Sequence, residues 1–224
     1  MTLSIGLLVF PGIQLLDLAG PYEVFAAVPG ARLHLLWKDR APVASAVGLP
    51  FAATVGFAEA PALDILCVPG GIGVNRLLDD AETLAFLRDT AARTPWLSSV
   101  CTGALLLGAA GLLRGRRATT HWNSHDFLAA FGAEPVDQRV VRDGNLFTAA
   151  GVTSGIDLAL AVVDAVVGRA AAEEITLAFE YAPQPPHACG TLKEAPPSAV
   201  TAARARYAAS RQERETIIAA LAPA

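Results

Sequence analysis

The sequence lacks paired cysteines, long apolar runs and a recognisable export signal, and each absence excludes a class of protein. Its three cysteines are an odd number without regular spacing, so they do not form a disulfide framework. Glycine, proline or a charged residue interrupts every apolar stretch before it reaches the ~18 to 20 residues that span a bilayer. The N-terminal residues lack the positive start and small-residue cleavage site of a signal peptide. We therefore expect a protein of the reducing cytoplasm that contacts no membrane.

Basic surface is also scarce. The formal net charge is −4, and the arginine clusters at 114–117 and 204–206 are short. Because nucleic-acid partners require a basic patch or stripe, we expect none here. The glycine-rich segment 69–73 has the wrong spacing for a dinucleotide fingerprint, and no glycine-rich loop follows the first apolar run.

What the sequence does contain is an alternation of short apolar runs and longer helical segments, in a chain that is 53% apolar. This alternation is typical of a parallel α/β sheet covered by helices on both faces. The length of 224 residues suits a single domain with a sizeable core. The predicted strands are 3–10, 31–37, 63–68 and 96–100, and the predicted helices are 15–28, 81–93, 104–110, 122–131 and one that opens at 153–155.

Turn residues and prolines add detail to this outline. Pro21 is expected to end one short helix and begin a second. Hairpins are predicted within 44–57 and around 142–145. The proline-rich segment 182–190 is predicted to be an irregular loop, and 197–221 a single long helix that packs on the body or on a second subunit. The outline is one catalytic domain over 1–190 with a helical arm over 191–224.

Cys101 lies where the strand 96–100 gives way to the helix after it. A residue at such a turn projects from the carboxyl edge of the sheet, and the first N–H groups of the helix favour negative charge on its sulfur. The small residues Thr102 and Gly103 permit a sharp turn, as in the nucleophile elbow of hydrolases. The alternative is a buried cysteine that only packs. The position after a strand favours a nucleophile.

Asp17 is a lone acid in an apolar stretch just after the first strand. Loops that follow parallel strands gather at one edge of a sheet, so Asp17 and Cys101 are expected to be neighbours. A carboxyl among leucines is costly to ionise, and its pKa should rise. The alternative is a helix N-cap.

The segment 69–73 follows the strand 63–68. It offers a backbone N–H at Gly71 that could face the N–H of Thr102 across the sulfur and stabilise charge developing on a substrate. Taken alone, the segment is equally consistent with a tight glycine turn.

The histidines do not favour a cysteine triad, although a role for His121 or His187 stays open. His34 lies inside a strand, and His121 begins a helix, where capping or a subunit contact is the expected role. His187 lacks the His-x-Glu pattern of glutamine amidotransferases, because Cys189 stands where the acid belongs. An Asp17–Cys101 pair therefore explains the residues better than a triad does.

Together these segments resemble the DJ-1/PfpI superfamily over roughly the first 190 residues. Asp17, where many relatives have Glu, makes the chain most similar to the isonitrile hydratase branch. The motifs that carry the resemblance are Phe10-Pro11-Gly12, Cys67-Val68-Pro69-Gly70-Gly71, Ser98-Ser99-Val100-Cys101-Thr102-Gly103-Ala104 and Ala118-Thr119-Thr120-His121-Trp122.

The resemblance implies a flavodoxin-like three-layer α/β/α sandwich, as in class I glutamine amidotransferases, and a homodimer with the site near the subunit interface. It makes Cys101 the nucleophile and Asp17 its carboxyl partner, with backbone donors at Thr102 and Gly71. The substrate would be an isonitrile, converted to an N-substituted formamide without a metal or cofactor. An apolar pocket is expected for the substituent, with Gly70, Ile72, Ile13, Trp122 and Val152 as candidate lining residues, although each could be ordinary core.

Other functions remain open from the sequence. The same cysteine and acid would serve an α-oxoaldehyde hydratase, glyoxalase or deglycase. A redox sensor would oxidise Cys101 without turnover. A similar motif set occurs in the sensor domains of AraC-type regulators, which continue into a helix-turn-helix region, whereas this sequence shows one arm-like helix and no basic surface. His187, where relatives often have an aromatic residue, leaves the substrate fit at that end undecided.

Overall fold

A computed structural model describes residues 2–221 and forms a seven-stranded sheet. The sheet is parallel except for one antiparallel edge strand, which forms a hairpin with its neighbour. Its core strands are almost fully buried, as expected when helices cover both faces. The strands, in order across the sheet, are β10 (Val140–Asp143), β11 (Leu146–Ala149), β7 (Trp96–Val100), β6 (Ile65–Val68), β1 (Ser4–Leu8), β2 (Arg32–Trp37) and β5 (Val55–Gly56).

Helices pack on both sides of this sheet and complete the three-layer sandwich. One layer contains α1 (Leu15–Ala26), α4 (Ser154–Val166) and α5 (Arg169–Ala178). The other contains α2 (Ala81–Ala91), α3 (Gly103–Ala109), α6 (Pro197–Leu221) and two 3₁₀ segments, Ile72–Leu77 and Trp122–Phe131. The small pairs are β3 (Pro42–Ala44) with β4 (Pro50–Ala52), and β8 (Arg117–Ala118) with β9 (Glu134–Pro135); a further 3₁₀ turn covers Phe57–Glu59.

Most of the predicted elements are confirmed, including the two hairpins, the irregular loop over 182–190 and the helix over 197–221. The segment 122–131 is a 3₁₀ helix, and α5 and the β8/β9 pair were not predicted. The predicted break at Pro21 is wrong, because α1 continues through it. Gly155 of α4 lies against the Pro21 ring, so tertiary packing holds the proline inside the helix.

The predicted arm α6 packs on the body of the same chain. It contacts both 3₁₀ segments, and it buries Ile218 and Arg214 to 5% exposure each. No helix within 2–221 is both long enough and apolar enough to cross a membrane. The cysteines Cys67, Cys101 and Cys189 are all free thiols.

Candidate active site

The carboxyl ends of β1, β6, β7 and β11 meet at one edge of the sheet, where a small cleft of about 60 Å³ opens. The loops that follow these strands supply part of its lining, and α6 supplies another part. Cys101 lies in this lining. The lining residues are Gln14, Gly71, Ile72, Cys101, Thr102, His121, Asn123, Ser124, Val152, Tyr207, Ser210 and Arg214.

Cys101 adopts the strained backbone of a nucleophile elbow, with φ at 54°. A left-handed conformation costs a non-glycine residue about 1–2 kcal/mol, so neighbouring groups must hold it in place. The Cys101 N–H donates to the Ala149 carbonyl at 3.0 Å. The Thr120 hydroxyl donates to the Cys101 carbonyl at 2.6 Å. Both peptide groups of Cys101 are therefore anchored while its side chain lines the cleft.

Asp17 is completely buried in the first turn of α1, and its Oδ2 accepts the N–H of Gly70 at 3.0 Å. It does not cap a helix, because Gln14 holds the N-cap position of α1. Burial raises the pKa of Asp17 from 3.8 to about 7, while the Gly70 N–H and the neighbouring Cys101 oppose part of that rise. Its Oδ1 has no hydrogen-bond partner within 2–221 and can carry the proton.

The Cys101 thiol is influenced by the same carboxyl. Burial and the nearby charge of Asp17 raise the pKa of Cys101 well above its usual value. The Thr102 N–H and the positive charge of Arg214 act in the opposite direction. The expected effect of the helix N–H is therefore present, but burial outweighs it. Because the ionisation of each group depends on the state of the other, the two titrate as a coupled pair.

The turn at Gly70 and Gly71 brings the carboxyl and the elbow together. A Cβ on Gly70 would lie 2.5 Å from the Thr102 nitrogen and 2.9 Å from Asp17 Oδ2, so only glycine fits there. The Gly71 N–H donates to the Thr102 hydroxyl at 3.0 Å. Both Gly71 and Thr102 line the cleft, but this hydrogen bond directs the Gly71 N–H at a side chain.

The α6 wall consists of Tyr207, Ser210 and Arg214, which sequence reasoning missed. The Arg214 guanidinium donates to Asn75 Oδ1 at 2.9 Å and to Ser124 Oγ at 2.8 Å. Asn75 in turn donates to the Ser210 carbonyl at 2.9 Å. In the sequence, Arg214 is one of several arginines in a polar helix, and nothing in its neighbours distinguishes it. Its role arises only from how α6 docks.

His121 also lines the cleft, and its protonation is set by its surroundings. Its Nδ1 accepts the Asn123 N–H at 3.3 Å, and Tyr207 packs edge-on at 5.5 Å. This is the capping role expected from the sequence. Burial and then Arg214 lower the pKa of His121 to about 4. The ring is therefore neutral at physiological pH, with its Nε2 carrying the hydrogen.

The candidate pocket residues divide into two groups. Ile72 and Val152 line the cleft. Gly70 lies behind it against Asp17, and Ile13 is fully buried and bridges to Gly71. Trp122 lies on a separate groove between the segment 122–131 and α6. Gly70, Ile13 and Trp122 are therefore outside the lining, because the strand-end loops turn them into the core or toward α6. The cleft is lined by polar as well as apolar side chains, so the expected purely apolar pocket is not present.

The described residues contain no group of three or more His, Cys, Asp or Glu side chains that could hold a metal ion.

A profile of the DJ-1/PfpI family matches residues 3–165, a span that includes β1, Asp17, the turn at 69–71 and the cysteine elbow. The chain belongs to the DJ-1/PfpI family.

Individual relatives extend over nearly the whole chain. The isonitrile hydratase of Pseudomonas putida is 52% identical over 97% of this chain and 95% of its own length. A crystal structure of a ThiJ/PfpI family protein from Pseudomonas syringae superposes with a TM-score of 0.94, at 41% identity, over 97% of this chain and 91% of that one. Both matches include α6, which lies outside the span of the family profile.

A third relative is a transcriptional regulator. The HTH-type regulator GbdR of Pseudomonas aeruginosa is 32% identical over 80% of this chain but only 50% of its own length. This agrees with the expected likeness to regulator sensor domains. The chain is more similar to the hydratase than to this regulator, in both identity and the length matched.

Proposed function

We propose that this protein is an isonitrile hydratase, which adds water to R–N≡C and releases an N-substituted formamide. The observation that carries the proposal is the pairing of an elbow cysteine with a fully buried aspartate, in a chain that is 52% identical to the Pseudomonas putida enzyme. The raised pKa of Asp17, about 7, leaves a proton available beside a nucleophilic sulfur at neutral pH.

In the first step of the proposed reaction, the Cys101 sulfur forms a bond to the terminal carbon of the isonitrile. The Asp17 carboxylic acid delivers its proton to the same carbon, which gives a thioimidate, R–N=CH–S–Cys101, and leaves Asp17 as a carboxylate. This step needs one proton on the pair, so that sulfur can supply electrons while the carboxyl supplies hydrogen.

In the second step, the Asp17 carboxylate accepts a proton from a water molecule whose oxygen attacks the thioimidate carbon. The hydroxyl proton of the resulting adduct passes to the nitrogen, the carbon–sulfur bond breaks as the carbonyl forms, and sulfur leaves as the thiolate, while Asp17 keeps the proton it took from water. Both residues return to their starting state. Thr102 is proposed to assist through its backbone N–H, and Ile72 and Val152 to contact the substituent R; the Gly71 N–H instead donates to the Thr102 hydroxyl.

Two further properties belong to the same proposal. Three free thiols suit the reducing cytoplasm, where we place the protein. The family resemblance implies a homodimer, and light scattering on the purified chain would measure its mass.

The direct test measures isonitrile loss and formamide gain in sealed vessels with cyclohexyl isocyanide. Cys101→Ala is expected to abolish formamide production, since the bond to carbon cannot form. Asp17→Asn is expected to keep less than about a tenth of the wild-type rate, a loss of at least ~1.4 kcal/mol in transition-state stabilisation. Cys189→Ala, on an exposed loop, should keep full activity.

Turnover by Cys101→Ala would contradict the nucleophile assignment. A parallel assay with methylglyoxal separates the hydratase from an α-oxoaldehyde enzyme. If methylglyoxal is consumed and the isonitrile is not, the proposed function is wrong, and the test leaves the assignment of Cys101 as nucleophile in place.

A further inference from the structure

Arg214 is a buried cation without a carboxylate partner in the described part of the chain. Arg214 is 5% exposed, and none of the ion pairs within 2–221 includes it. The neighbouring arginine on α6, Arg211, instead pairs with Asp126 at 2.6 Å. Burying a charge is costly unless another charge or a set of dipoles compensates it. Arg214 therefore requires a compensating group in the cleft that it lines.

Neutral side chains satisfy only part of the guanidinium. Its Nε, Nη1 and Nη2 donate to Asn75 Oδ1, Ser124 Oγ and Ser210 Oγ, the last at 3.3 Å. A guanidinium has five N–H groups, so two remain without an acceptor in the described residues. The three acceptors fix the plane of the group on the wall of the cleft that contains Cys101.

The surroundings of Arg214 leave one group to balance it. The titratable side chains that influence it are Cys101, Arg211 and Glu213. Arg211 is a like charge already paired with Asp126, and Glu213 is an exposed carboxylate held by Asn75 Nδ2 at 2.6 Å. His121, which Arg214 also influences, is neutral. Cys101 is the one buried group among them that can become an anion.

We propose that Arg214 is a positioning residue that draws the single negative charge of the Cys101–Asp17 pair toward sulfur and away from the carboxylate. The proposal rests on the proposed function, because the first step needs a thiolate beside a protonated acid. The pair can share its one proton in two ways. The thiol with a carboxylate is unreactive toward the isonitrile carbon, whereas the thiolate with a carboxylic acid supplies both the electron pair and the proton.

The position of Arg214 selects between these two forms. Arg214 and Cys101 line the same cleft, whereas Asp17 is completely buried outside that lining and accepts the Gly70 N–H. A cation that stabilises the anion on sulfur more than the anion on the carboxyl moves the shared proton to Asp17. Thr102 acts in the same direction through its N–H. The last helix of the fold thus shifts the pair toward the reactive thiolate form, against the burial that raises the pKa of Cys101.

The test follows the thiolate directly, without any turnover. The rate at which iodoacetamide alkylates Cys101 is measured against pH by site-resolved mass spectrometry, together with the ultraviolet absorbance of the thiolate. In Arg214→Gln we expect the midpoint of the profile to rise by about one pH unit or more, which is about tenfold slower alkylation at neutral pH. Arg214→Lys keeps the charge and should restore most of the rate. Arg211→Gln, one turn earlier and facing Asp126, should leave the profile unchanged.

A second variant keeps the test decisive if Arg214→Gln does not fold. Asn75→Asp places a carboxylate on the Nε of an intact Arg214, neutralises its charge and is expected to raise the midpoint in the same direction. The proposal is overturned if either folded variant keeps the wild-type profile. It is also overturned if Arg214→Gln leaves alkylation unchanged and raises only KM, because the guanidinium would then bind the substrate. Failure of isonitrile turnover in the wild type leaves the alkylation profiles interpretable, so the two failures are distinguishable.

Discussion

At the scale of single residues, the burial of Asp17 lowers the stability of the fold near neutral pH and gives the site a proton donor. A completely buried carboxyl with one backbone donor is poorly compensated when ionised, which is why its pKa rises to about 7. The folded state therefore binds the proton up to a higher pH than the unfolded chain does. Its contribution to stability is complete below the unfolded pKa of 3.8 and is lost as the pH rises toward about 7.

Asp17→Asn should remove this pH dependence. Between the unfolded and folded pKa values, the wild type is expected to lose about 1.4 kcal/mol of unfolding free energy per pH unit relative to the variant. Urea denaturation of both proteins across that range measures the difference. Asp89→Asn, exposed on α2, serves as the control. Parallel curves for the wild type and Asp17→Asn would show that the carboxyl is not desolvated.

Gly70→Ala tests the close approach of the turn to the elbow. The added Cβ would meet the Thr102 backbone nitrogen at 2.5 Å, so the turn must shift and the hydrogen bond from the Gly70 N–H to Asp17 must weaken. We expect a loss of about 1–3 kcal/mol in stability, together with a large fall in hydratase activity. Gly190→Ala has open space around it and should behave as the wild type in both thermal melts and assays.

At the scale of elements, α1 and α4 pack closely through glycines. Gly20 of α1 faces Ile156, and Gly155 of α4 faces the Pro21 ring. This contact explains why Pro21 lies inside a continuous helix, against the sequence expectation. It also positions Asp17, one turn before Pro21, under the turn at 69–71.

Gly155→Val should separate these helices. A Cβ at this position already lies 3.1 Å from two atoms of the Pro21 ring, and valine adds two methyl groups. We expect a loss of roughly 1–3 kcal/mol in the free energy of unfolding. Gly151→Val, which has nothing within 4 Å of its Cβ, is the matched control in the same denaturation experiment. Equal stability of the two variants would mean that the α1–α4 contact is loose.

The sequence predicted what depends on local pattern and strand order. The elbow at Cys101, the burial of Asp17 and the turn at 69–71 all follow from residues that come directly after strands, because parallel strands bring those residues to one edge. The direction of the Gly71 N–H depends on a side-chain hydrogen bond, and the position of Trp122 depends on the direction of a loop. Neither leaves a periodic pattern in the sequence. Arg214 was missed for another reason. Helix α6 is mostly polar, and only its docking shows which arginine it buries.

At the scale of the whole molecule, α6 is part of the domain that holds the cysteine. Ile218 is buried to 5%, Arg214 bonds to both 3₁₀ segments, and Arg211 donates to the Asn123 carbonyl at 2.5 Å. A helix fixed in this way should unfold together with the sheet.

Ile218→Ala measures this coupling. If α6 belongs to the same cooperative unit, the variant should lose about 2–5 kcal/mol in a single unfolding transition, the range for an aliphatic side chain removed from a core. Leu221→Ala, at a position that is 40% exposed, should change stability much less. A separate early transition in Ile218→Ala would instead identify α6 as an independently unfolding arm.

The docking of α6 also has a consequence for biosynthesis. Asp17 lies in α1, before Cys101 in the sequence, and Arg214 lies in α6, long after it, so the acid is translated before the cysteine and the guanidinium well after it. While the chain is still emerging from the ribosome, its cysteine has the acid but not the guanidinium. A nascent or truncated chain that lacks α6 would thus carry a less reactive thiol until that helix has been made and docked.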